Sequence, residues 1–595
     1  MPNKRILKAL EYAPAFRDIM LSEGTLDEKK GRVRMFLSDM LNMTFEDNHV
    51  VPPMEWILVR DACRVFRNMM ANRSERLAGF SFLAYIDDLL HGREGKYTPR
   101  PSTGFLEEVE HLMRALTGNS RLYAEKPPAF LMHEGRRAAR MRSTDLSHMT
   151  KKAREYMARY VSGLDPEAVR RRVRNKQRIL KHFAATEREW ADWKWHAKNI
   201  IRGVETLEKL VKLTDEEREA VRLARLHRIP FGITPYYLSL MDREPGGDND
   251  RAVRAQVIPS LHYVKAMAAA KDCRETSMDF MMERDTSPIE GITRRYPMIL
   301  ILKPVLTCPQ ICVYCQRNWE IEDVYSETAA LGEDKLAQAI EWIEKTPEVL
   351  EVLITGGDPF LFSDKALEGI LARLAKIPHL ERIRIGTRTP VTLPARVTEP
   401  LARMIKTFHV PGRREMLIVT HFEHPYEITP EAMEAVQRFK RNGISVFNQL
   451  VFTFYNSRKF EAASLRHKLS LIGVRPYYTF NTKGKEETDD FRVPIARIIQ
   501  ESDEEARLMP GSVRTDKIVF NVPRLGKNNL MATQHHDVIS ILPDGRRVYE
   551  FHPWEKKLSL VDTYVYTDVG IYEYLQRLRE SGENPWNYRT IWYYY

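Results

Sequence analysis

The chain has 595 residues, of which 43% are hydrophobic, and a net charge of +11, so two or three domains are expected. It contains no apolar run of about 18 residues, which argues against a membrane span, and its charged start is unlike a secretory signal. Three of the five cysteines are clustered, which predicts a cytoplasmic protein with reduced thiols rather than disulfides.

Residues 1–185 are predicted to form a helical, basic N-terminal extension. Apolar residues recur at helical spacings of three and four through 33–43, 56–70 and 106–116. Much of the positive charge lies in two stretches, 136–154 and 170–178. Such a stretch could contact nucleic acid, but it is more often a solvated helix face, so nucleic acid is not an expected partner. An oligomerisation or regulatory bundle is the role we predict for this region.

Residues 186–290 are predicted to form a second helical segment. Thr214 and Glu217 stand three residues apart before an apolar helical pattern, which is the signature of a capping box. Earlier in the chain, Asp165 and Pro166 predict another helix start, with the aspartate as cap and the proline at the first helical position.

Residues 291–480 alternate between short strands and helices. The β-rich runs are 298–303, 349–354, 382–386, 416–420, 444–452 and 474–480. One intervening helix is predicted to begin at Thr429-Pro430 and to stop at Gly443. Strands that alternate with helices indicate parallel β/α units. The predicted fold class is α/β, a partial (β/α)6 barrel with its site at the carboxyl ends of the strands, followed by a C-terminal segment, residues 481–595.

Three cysteines, Cys308, Cys312 and Cys315, follow the first of these strands in a C-x3-C-x2-C pattern. Three thiolates on one loop can hold three irons of a [4Fe–4S] cluster and leave the fourth iron open. An electron-transfer ferredoxin would need a fourth cysteine, and a zinc site that lacks a ligand is the alternative. The second strand ends in a Gly-Gly-Asp sequence, where glycines let the backbone approach a ligand closely.

A cysteine loop of this spacing after the first strand of a β/α barrel resembles the radical S-adenosylmethionine (SAM) superfamily. The resemblance implies that SAM binds the open iron. One electron from the cluster then splits SAM into methionine and a 5′-deoxyadenosyl radical. Gly356, Gly357 and Asp358 resemble the superfamily motif for the SAM amino group. An electron donor such as flavodoxin or ferredoxin is therefore an expected partner.

From about residue 186 to the 550s, the chain also resembles the lysine 2,3-aminomutase family. The matching stretches are 189–199, 233–240, 295–297, 354–359, 384–391, 420–425, 448–449 and 475–478. The resemblance implies an isomerase that moves the α-amino group of an amino acid to the β-carbon, with pyridoxal 5′-phosphate (PLP) beside SAM. Members tend to be oligomeric, so a homo-oligomer is expected. The family's C-terminal zinc-binding cysteines have no counterpart after Cys315, so no zinc is expected.

The resemblance assigns PLP to Lys527, which follows a strand and a short loop. The family has a run of glycines there, whereas this chain has Arg524-Leu525-Gly526 and is one residue shorter. A solvated lysine is the alternative. Arg295 and Tyr296 match the family's PLP-contacting pair, although the second arginine of the family is replaced by Ile299.

His421 and Gln449 match positions of the family's cofactor pocket, and we assign them to SAM. For His421 a purely structural histidine is the alternative. Arg317, two residues after Cys315, matches the arginine that binds the substrate α-carboxylate, and a guanidinium fork suits that task.

The positions that read the substrate side chain differ from those of lysine-specific members. Where those enzymes hold the distal ammonium with two aspartates, this chain has Lys483 and Asn521. An ammonium facing Lys483 would meet like charge at a cost of several kcal/mol, whereas a carboxylate would gain hydrogen bonds from both residues. An acidic amino acid, L-glutamate, is therefore the predicted substrate, as in the glutamate 2,3-aminomutase branch.

Two alternatives remain open. If Lys483 faces solvent, the enzyme would be a lysine 2,3-aminomutase. The second alternative is a radical SAM enzyme that modifies a macromolecule held by the basic N-terminal region, and salt-sensitive RNA binding would favour it.

Overall fold

A computed structural model describes residues 4–45, 53–93, 100–123, 127–482 and 484–595. The chain divides into two compact units. Unit 1 comprises Met1–Arg154, Val493–Glu505 and Asn528–Tyr595, and unit 2 comprises Glu155–Arg492 and Ala506–Lys527. Each unit contains segments that are distant in the sequence.

Unit 2 contains a mainly parallel sheet whose strands follow one another in chain order. The strands are β1 (Ile292–Thr293), β2 (Ile299–Val305), β3 (Glu351–Gly356), β4 (Arg382–Gly386), β5 (Glu415–Thr420), β6 (Ser445–Phe452), β7 (Val474–Asn481) and β8 (Lys517–Asn521). Strands β2 to β8 pair in parallel, and β1 pairs antiparallel with β2. The chain leaves the unit along a short strand, β9 (Lys527–Asn529).

The six predicted strands are confirmed as β2 to β7, and the fold class is α/β, as predicted. Two further strands join these six: β8, the strand expected before Lys527, adds a seventh parallel strand, and β1 adds a two-residue antiparallel edge. The strand β1 was not predicted, because two residues are too few to show the hydrophobic periodicity by which strands are recognised in a sequence. The parallel order brings the carboxyl ends of β2 to β8 to one edge of the sheet.

Two helices of unit 2 begin at the residues that the sequence predicts. Thr214 and Glu217 form the predicted capping box, and Thr429 accepts a hydrogen bond from Ala432 N at the start of its helix. Gly443 follows that helix with φ +74°, the left-handed conformation that glycine adopts freely. The helices are Pro166–His182, Glu187–Trp190, Trp193–Lys198, Val204–Leu210, Asp215–Leu226, Pro235–Leu238, Asp248–Ala255, Leu261–Ala269, Arg274–Ser277, Glu333–Glu344, Asp364–Lys376, Thr389–Thr392, Glu399–Lys406, Pro430–Arg441 and Glu461–Leu471.

Unit 1 is largely helical, as predicted for the N-terminal region. Its helices are Lys4–Ala9, Pro14–Leu21, Leu26–Met43, Pro53–Met69, Asn72–Ala78, Phe82–His91, Thr103–Leu116, Ile495–Gln500 and Ile571–Glu580. A three-stranded antiparallel sheet completes it, with β10 (His536–Ile541), β11 (Arg547–Phe551) and β12 (Tyr564–Thr567). No helix in the part of the chain that the structure describes is long and apolar enough to cross a membrane.

The first basic stretch lies on a long helix, Gly135–Ala158. Only Ala153 is buried in this helix. Its arginines and lysines therefore lie on a solvent-exposed surface, which is the ordinary place for a run of charges.

A buried ion pair links the N-terminal and C-terminal segments of unit 1. Arg547, on β11, donates to both carboxylate oxygens of Glu108 at 2.9–3.1 Å, and both side chains are almost fully buried. Removing one partner would leave the other charge buried and unpaired, at a cost of about 3–5 kcal/mol. We expect Glu108→Gln to lower the free energy of unfolding by that amount in urea denaturation. Glu107→Gln is the matched control because Glu107 is 41% exposed; an equal loss in both variants would contradict the argument.

Candidate functional site

The cysteine loop leaves β2 and lies against an apolar wall. Cys308, Cys312 and Cys315 are partly buried. Cys308 and Cys315 pack against buried apolar side chains, namely Ile200, Ile311, Ile321 and Val324. The backbone N–H groups of Ile311 and Val313 donate to carbonyls that precede the barrel, those of Gly232 and Gln256. The loop is therefore held in place at the carboxyl end of β2.

The donors around these thiols fit an iron–sulfur cluster. Arg388 Nη1 donates to Cys312 Sγ at 2.7 Å, and the backbone N–H of Arg317 donates to Cys315 Sγ at 3.3 Å. Hydrogen bonds to the sulfurs are among the means by which proteins tune such clusters. Burial raises the pKa of the Cys308 and Cys312 thiols, and a bound metal cation would favour their thiolate forms.

Among the described residues, no group of three or more His, Cys, Asp and Glu side chains could hold a single metal ion. A cube-shaped cluster makes a different demand, because each thiolate binds a separate iron at its own corner. Three cysteines on one loop can supply three such corners.

The Gly-Gly-Asp loop after β3 is joined to the start of the cysteine loop. Gly357 N donates to Val305 O, and Asp358 N donates to Thr307 O. A side chain at Gly357 would meet the Thr307 backbone, since a Cβ there would lie only 1.9 Å from the carbonyl oxygen. Gly356 has φ +113°. Both glycines are thus required by the close approach of two backbones.

The Asp358 carboxylate is fully engaged within the protein. It accepts hydrogen bonds from the hydroxyls of Thr387 and Thr389 and from the N–H groups of Phe360, Arg388 and Thr389, at 2.7–3.2 Å. It therefore fixes the segment after β4, including Arg388, to the end of β3. A ligand at this motif would therefore contact its backbone groups rather than the Asp358 carboxylate.

His421 and Gln449 lie at the same edge. His421 directly follows β5, and its carbonyl accepts a hydrogen bond from Arg388 Nε at 3.2 Å. Gln449 lies on β6 and is partly buried. The structure thus brings His421 near the arginine that contacts Cys312, and the His421 side chain contacts the Gln449 backbone.

Lys527 lies between two aromatic rings. Its Nζ donates to the Tyr296 hydroxyl at 3.0 Å and lies 4.5 Å and 5.3 Å from the ring centroids of Tyr296 and Tyr478. Desolvation of the amine, together with the charges of Arg295 and Arg384, lowers the pKa of Lys527 to about 7. The predicted alternative, a solvated lysine, does not describe these surroundings.

In the loop before Lys527, Arg524 adopts a backbone conformation that glycine favours. Its φ is +63°, the left-handed region that glycine occupies freely and other residues rarely do. Its N–H donates to Met281 O, and its Nε contacts Asp285 Oδ2 at 3.0 Å. The chain keeps the turn of the loop without the glycine because these contacts hold Arg524 in that conformation.

Glu283 is a site residue that the sequence analysis did not identify. Its carboxylate accepts two hydrogen bonds of 3.0 Å from the Arg317 fork and one of 3.1 Å from Arg295, and Lys303 Nζ lies 3.7 Å away. Burial would raise the pKa of Glu283, but the charges of Arg317, Arg295 and Lys303 outweigh burial and hold it well below the usual range. Arg317 and Arg295 are thus brought together by one carboxylate.

Of the two residues predicted to contact the substrate side chain, the structure describes only Asn521. Asn521 is partly buried and ends β8, whereas Lys483 lies outside the described residues. Two residues further on, Lys485 Nζ contacts Glu487 at 2.7 Å and the Cys315 carbonyl at 3.3 Å. The charged stretch 484–490 is therefore not a simple solvated loop, because Lys485 and Glu487 are both buried.

The chain is similar to several known proteins. The family model of the radical SAM superfamily matches residues 302–463. An uncharacterized KamA family protein of Methanocaldococcus jannaschii is 42% identical, covering 100% of this chain and 98% of that protein. An L-lysine 2,3-aminomutase of Fusobacterium nucleatum is 38% identical over 53% of this chain and 70% of that enzyme. A glutamate 2,3-aminomutase of Clostridioides difficile is 32% identical over 67% of this chain and 88% of that enzyme.

The family assignment rests on how much of each chain is matched. The archaeal relative is matched over the full chain, including the N-terminal helices, and both aminomutases are matched over more than two thirds of their own length. The likeness therefore extends well beyond a shared cofactor loop. The chain belongs to the KamA family of radical SAM aminomutases.

Proposed function

We propose that the protein is a PLP-dependent 2,3-aminomutase that moves the α-amino group of L-glutamate to the β-carbon. The observation that carries the proposal is the environment of Lys527, an amine with a pKa near 7 between two tyrosine rings and close to Arg295. A lysine binds a carbonyl cofactor covalently only as the neutral amine, which desolvation favours.

The residues at this edge of the sheet fit the cofactors of such an enzyme. When bound, the cluster with SAM supplies a carbon-centred radical that takes a hydrogen atom, and PLP supplies the conjugated ring that carries the migrating amino group. Cys308, Cys312 and Cys315 would hold the cluster. Lys527, whose amine lies near the rings of Tyr296 and Tyr478, would hold PLP, and Arg295 would bind its phosphate. A donor such as flavodoxin or ferredoxin would deliver the electron.

Arg317 would bind the α-carboxylate of the substrate. Glu283 occupies two of the five N–H groups of this guanidinium, which leaves the others for a ligand. Because Glu283 holds Arg317 in one orientation, the free N–H groups would already point in a fixed direction. Substrate binding would then not have to order the Arg317 side chain, which favours binding.

The choice of glutamate rests on the two positions that differ from lysine-specific enzymes. Lys483 and Asn521 would both donate to a side-chain carboxylate. Arg295, Lys303 and Arg317 are paired with two carboxylates, Glu283 and Glu320. Three cations against two anions leave one positive charge in this cluster, which favours an acidic ligand. L-Lysine is the second candidate, because the lysine enzyme shares the higher identity, 38% against 32%.

The substrate experiment compares L-glutamate with L-lysine. The anaerobically reconstituted protein, with SAM, PLP and a reductant, is given each amino acid separately, and the β-amino acids are quantified. We expect β-glutamate. The double variant Lys483→Asp/Asn521→Asp should lose on the order of a thousandfold in kcat/KM for glutamate, whereas Lys517→Asp, an exposed control, should not. Formation of β-lysine alone would overturn the choice of substrate and leave the aminomutase assignment intact.

The pH dependence of PLP attachment tests the assigned lysine. The neutral fraction of an amine with a pKa of about 7 rises with pH and reaches one half near pH 7, whereas an exposed lysine titrates near pH 10.4. Covalent attachment of PLP, followed by its absorbance after reconstitution at about pH 5.5 to about pH 10.5, should therefore increase with a midpoint near pH 7. A midpoint above pH 9 would contradict the environment described for Lys527.

A further inference from the structure

A cavity lined by arginines lies in unit 2 and is separate from the residues of the candidate site. It has a volume of about 650 Å³ and lies between the helix Pro166–His182 and the loop that follows Leu240. Its charged lining consists of Arg171, Arg174, Arg178, Asp242, Arg243 and Glu244. The helix carries the second basic stretch, 170–178, for which the proposed aminomutase reaction has no use.

Both carboxylates of the lining are already paired. Arg171 Nη1 lies 3.0 Å and 3.1 Å from the two oxygens of Asp242, and Lys212 Nζ lies 2.7 Å from Glu244. The lining therefore has no carboxylate to spare for its other three guanidinium groups.

The other three arginines of the lining, Arg174, Arg178 and Arg243, have few negatively charged partners. Arg178 donates to the neutral amide oxygen of Asn175 at 3.1 Å, and its Nε is buried without a partner. Burial, and then the charge of Arg243, lower the pKa of Arg178. In the part of the chain that the structure describes, the Arg243 side chain has no carboxylate partner, and Arg174 reaches Glu167 only at 3.5 Å. Arg178 is partly buried, whereas Arg174 and Arg243 are exposed at the rim of the cavity. The lining carries four arginines against two carboxylates, so its net positive charge favours an anion.

We propose that this cavity binds a small ligand through a phosphate or pyrophosphate group, either free or carried by a nucleotide. A phosphate group bears nearly two negative charges and several acceptor oxygens, which match three guanidinium forks better than a single carboxylate does. Gly246 and Gly247 also line the cavity, and backbone without side chains lets an anion approach its N–H groups. The volume lies in the range of small-molecule sites.

The test is calorimetric titration of the full-length protein at constant ionic strength, with pyrophosphate, ATP and adenosine as probes. We expect pyrophosphate and ATP to bind and adenosine not to bind. Arg178→Gln and Arg243→Gln should each weaken binding at least tenfold. Arg170→Gln is the matched control, because Arg170 lies on the same helix, is 63% exposed and pairs with Glu167; it should bind as the wild type does.

Arg243→Glu separates a binding defect from a folding defect. This variant should abolish anion binding and yet raise the melting temperature of the ligand-free protein, because the new carboxylate would neutralise Arg178. Tighter binding of ATP than of pyrophosphate would identify a nucleotide, and equal binding would identify the free anion.

Three results would overturn the proposal: no binding of either phosphate probe, an equal loss of affinity in Arg170→Gln, or a lower melting temperature in Arg243→Glu. Binding of a single-stranded RNA oligonucleotide that weakens equally in all arginine variants would instead indicate a general basic surface.

Discussion

Lys527→Ala should reduce formation of the β-amino acid by on the order of a thousandfold or more, the scale of loss when one member of a catalytic unit is removed. The reason is chemical: Lys527 provides the amine, between the rings of Tyr296 and Tyr478, that would hold PLP covalently. The variant should also fail to retain PLP after borohydride reduction, as measured by intact mass. The change removes no ion pair, because the amine is bonded to a hydroxyl, so the fold should tolerate it.

Lys517→Ala is the control for this experiment. Lys517 lies ten residues earlier, at the exposed start of β8, and should keep both PLP and activity. If Lys527→Ala retains a reducible PLP adduct, another lysine holds the cofactor. If it loses the adduct but keeps full turnover, the proposed PLP chemistry is wrong, whereas the radical SAM assignment would stand.

Glu283→Gln should lower the free energy of unfolding by about 3–5 kcal/mol, because it leaves buried cations without their carboxylate. Glu283 is 1% exposed and contacts Arg295, Lys303 and Arg317. Urea denaturation at pH 7 measures the loss. The variant should also raise KM for the amino acid more than it lowers kcat, because Arg317 would lose the contact that orients it before substrate binds.

The pH dependence gives a second measurement of Glu283. Its pKa in the folded protein is held below the usual range, so its stabilisation is complete above the unfolded pKa, near 4.3, and is lost as the pH falls toward the folded pKa. The difference between the wild type and Glu283→Gln should therefore be largest at neutral pH and smaller at pH 3. Glu275→Gln, at a side chain that is 71% exposed, should change stability by less than about 0.5 kcal/mol. A similar loss in both variants would contradict a special role for Glu283.

The sequence by itself determined the structural elements that depend only on residues close to one another in the chain. The six central strands, the helix caps at Thr214 and Thr429 and the stop at Gly443 were all recognised, because hydrophobic periodicity and capping act within a few residues. The cysteine loop was recognised for the same reason, since three ligands within eight residues must share one site. The order of strands and helices then predicted which loops meet at one edge.

The tertiary structure alone decided which charges meet there. Glu283 lies 34 residues before Arg317, and Arg388 lies 76 residues after Cys312, with which it shares a hydrogen bond. No local pattern marks either residue, because each acts on a partner that only the folded sheet brings close. The same holds for Lys485, which the sequence places in a charged stretch and the fold places against the Cys315 carbonyl. Periodicity reports which face of an element is buried, but the pairing of buried charges depends on contacts between elements, and those contacts are set by the packing of the whole unit.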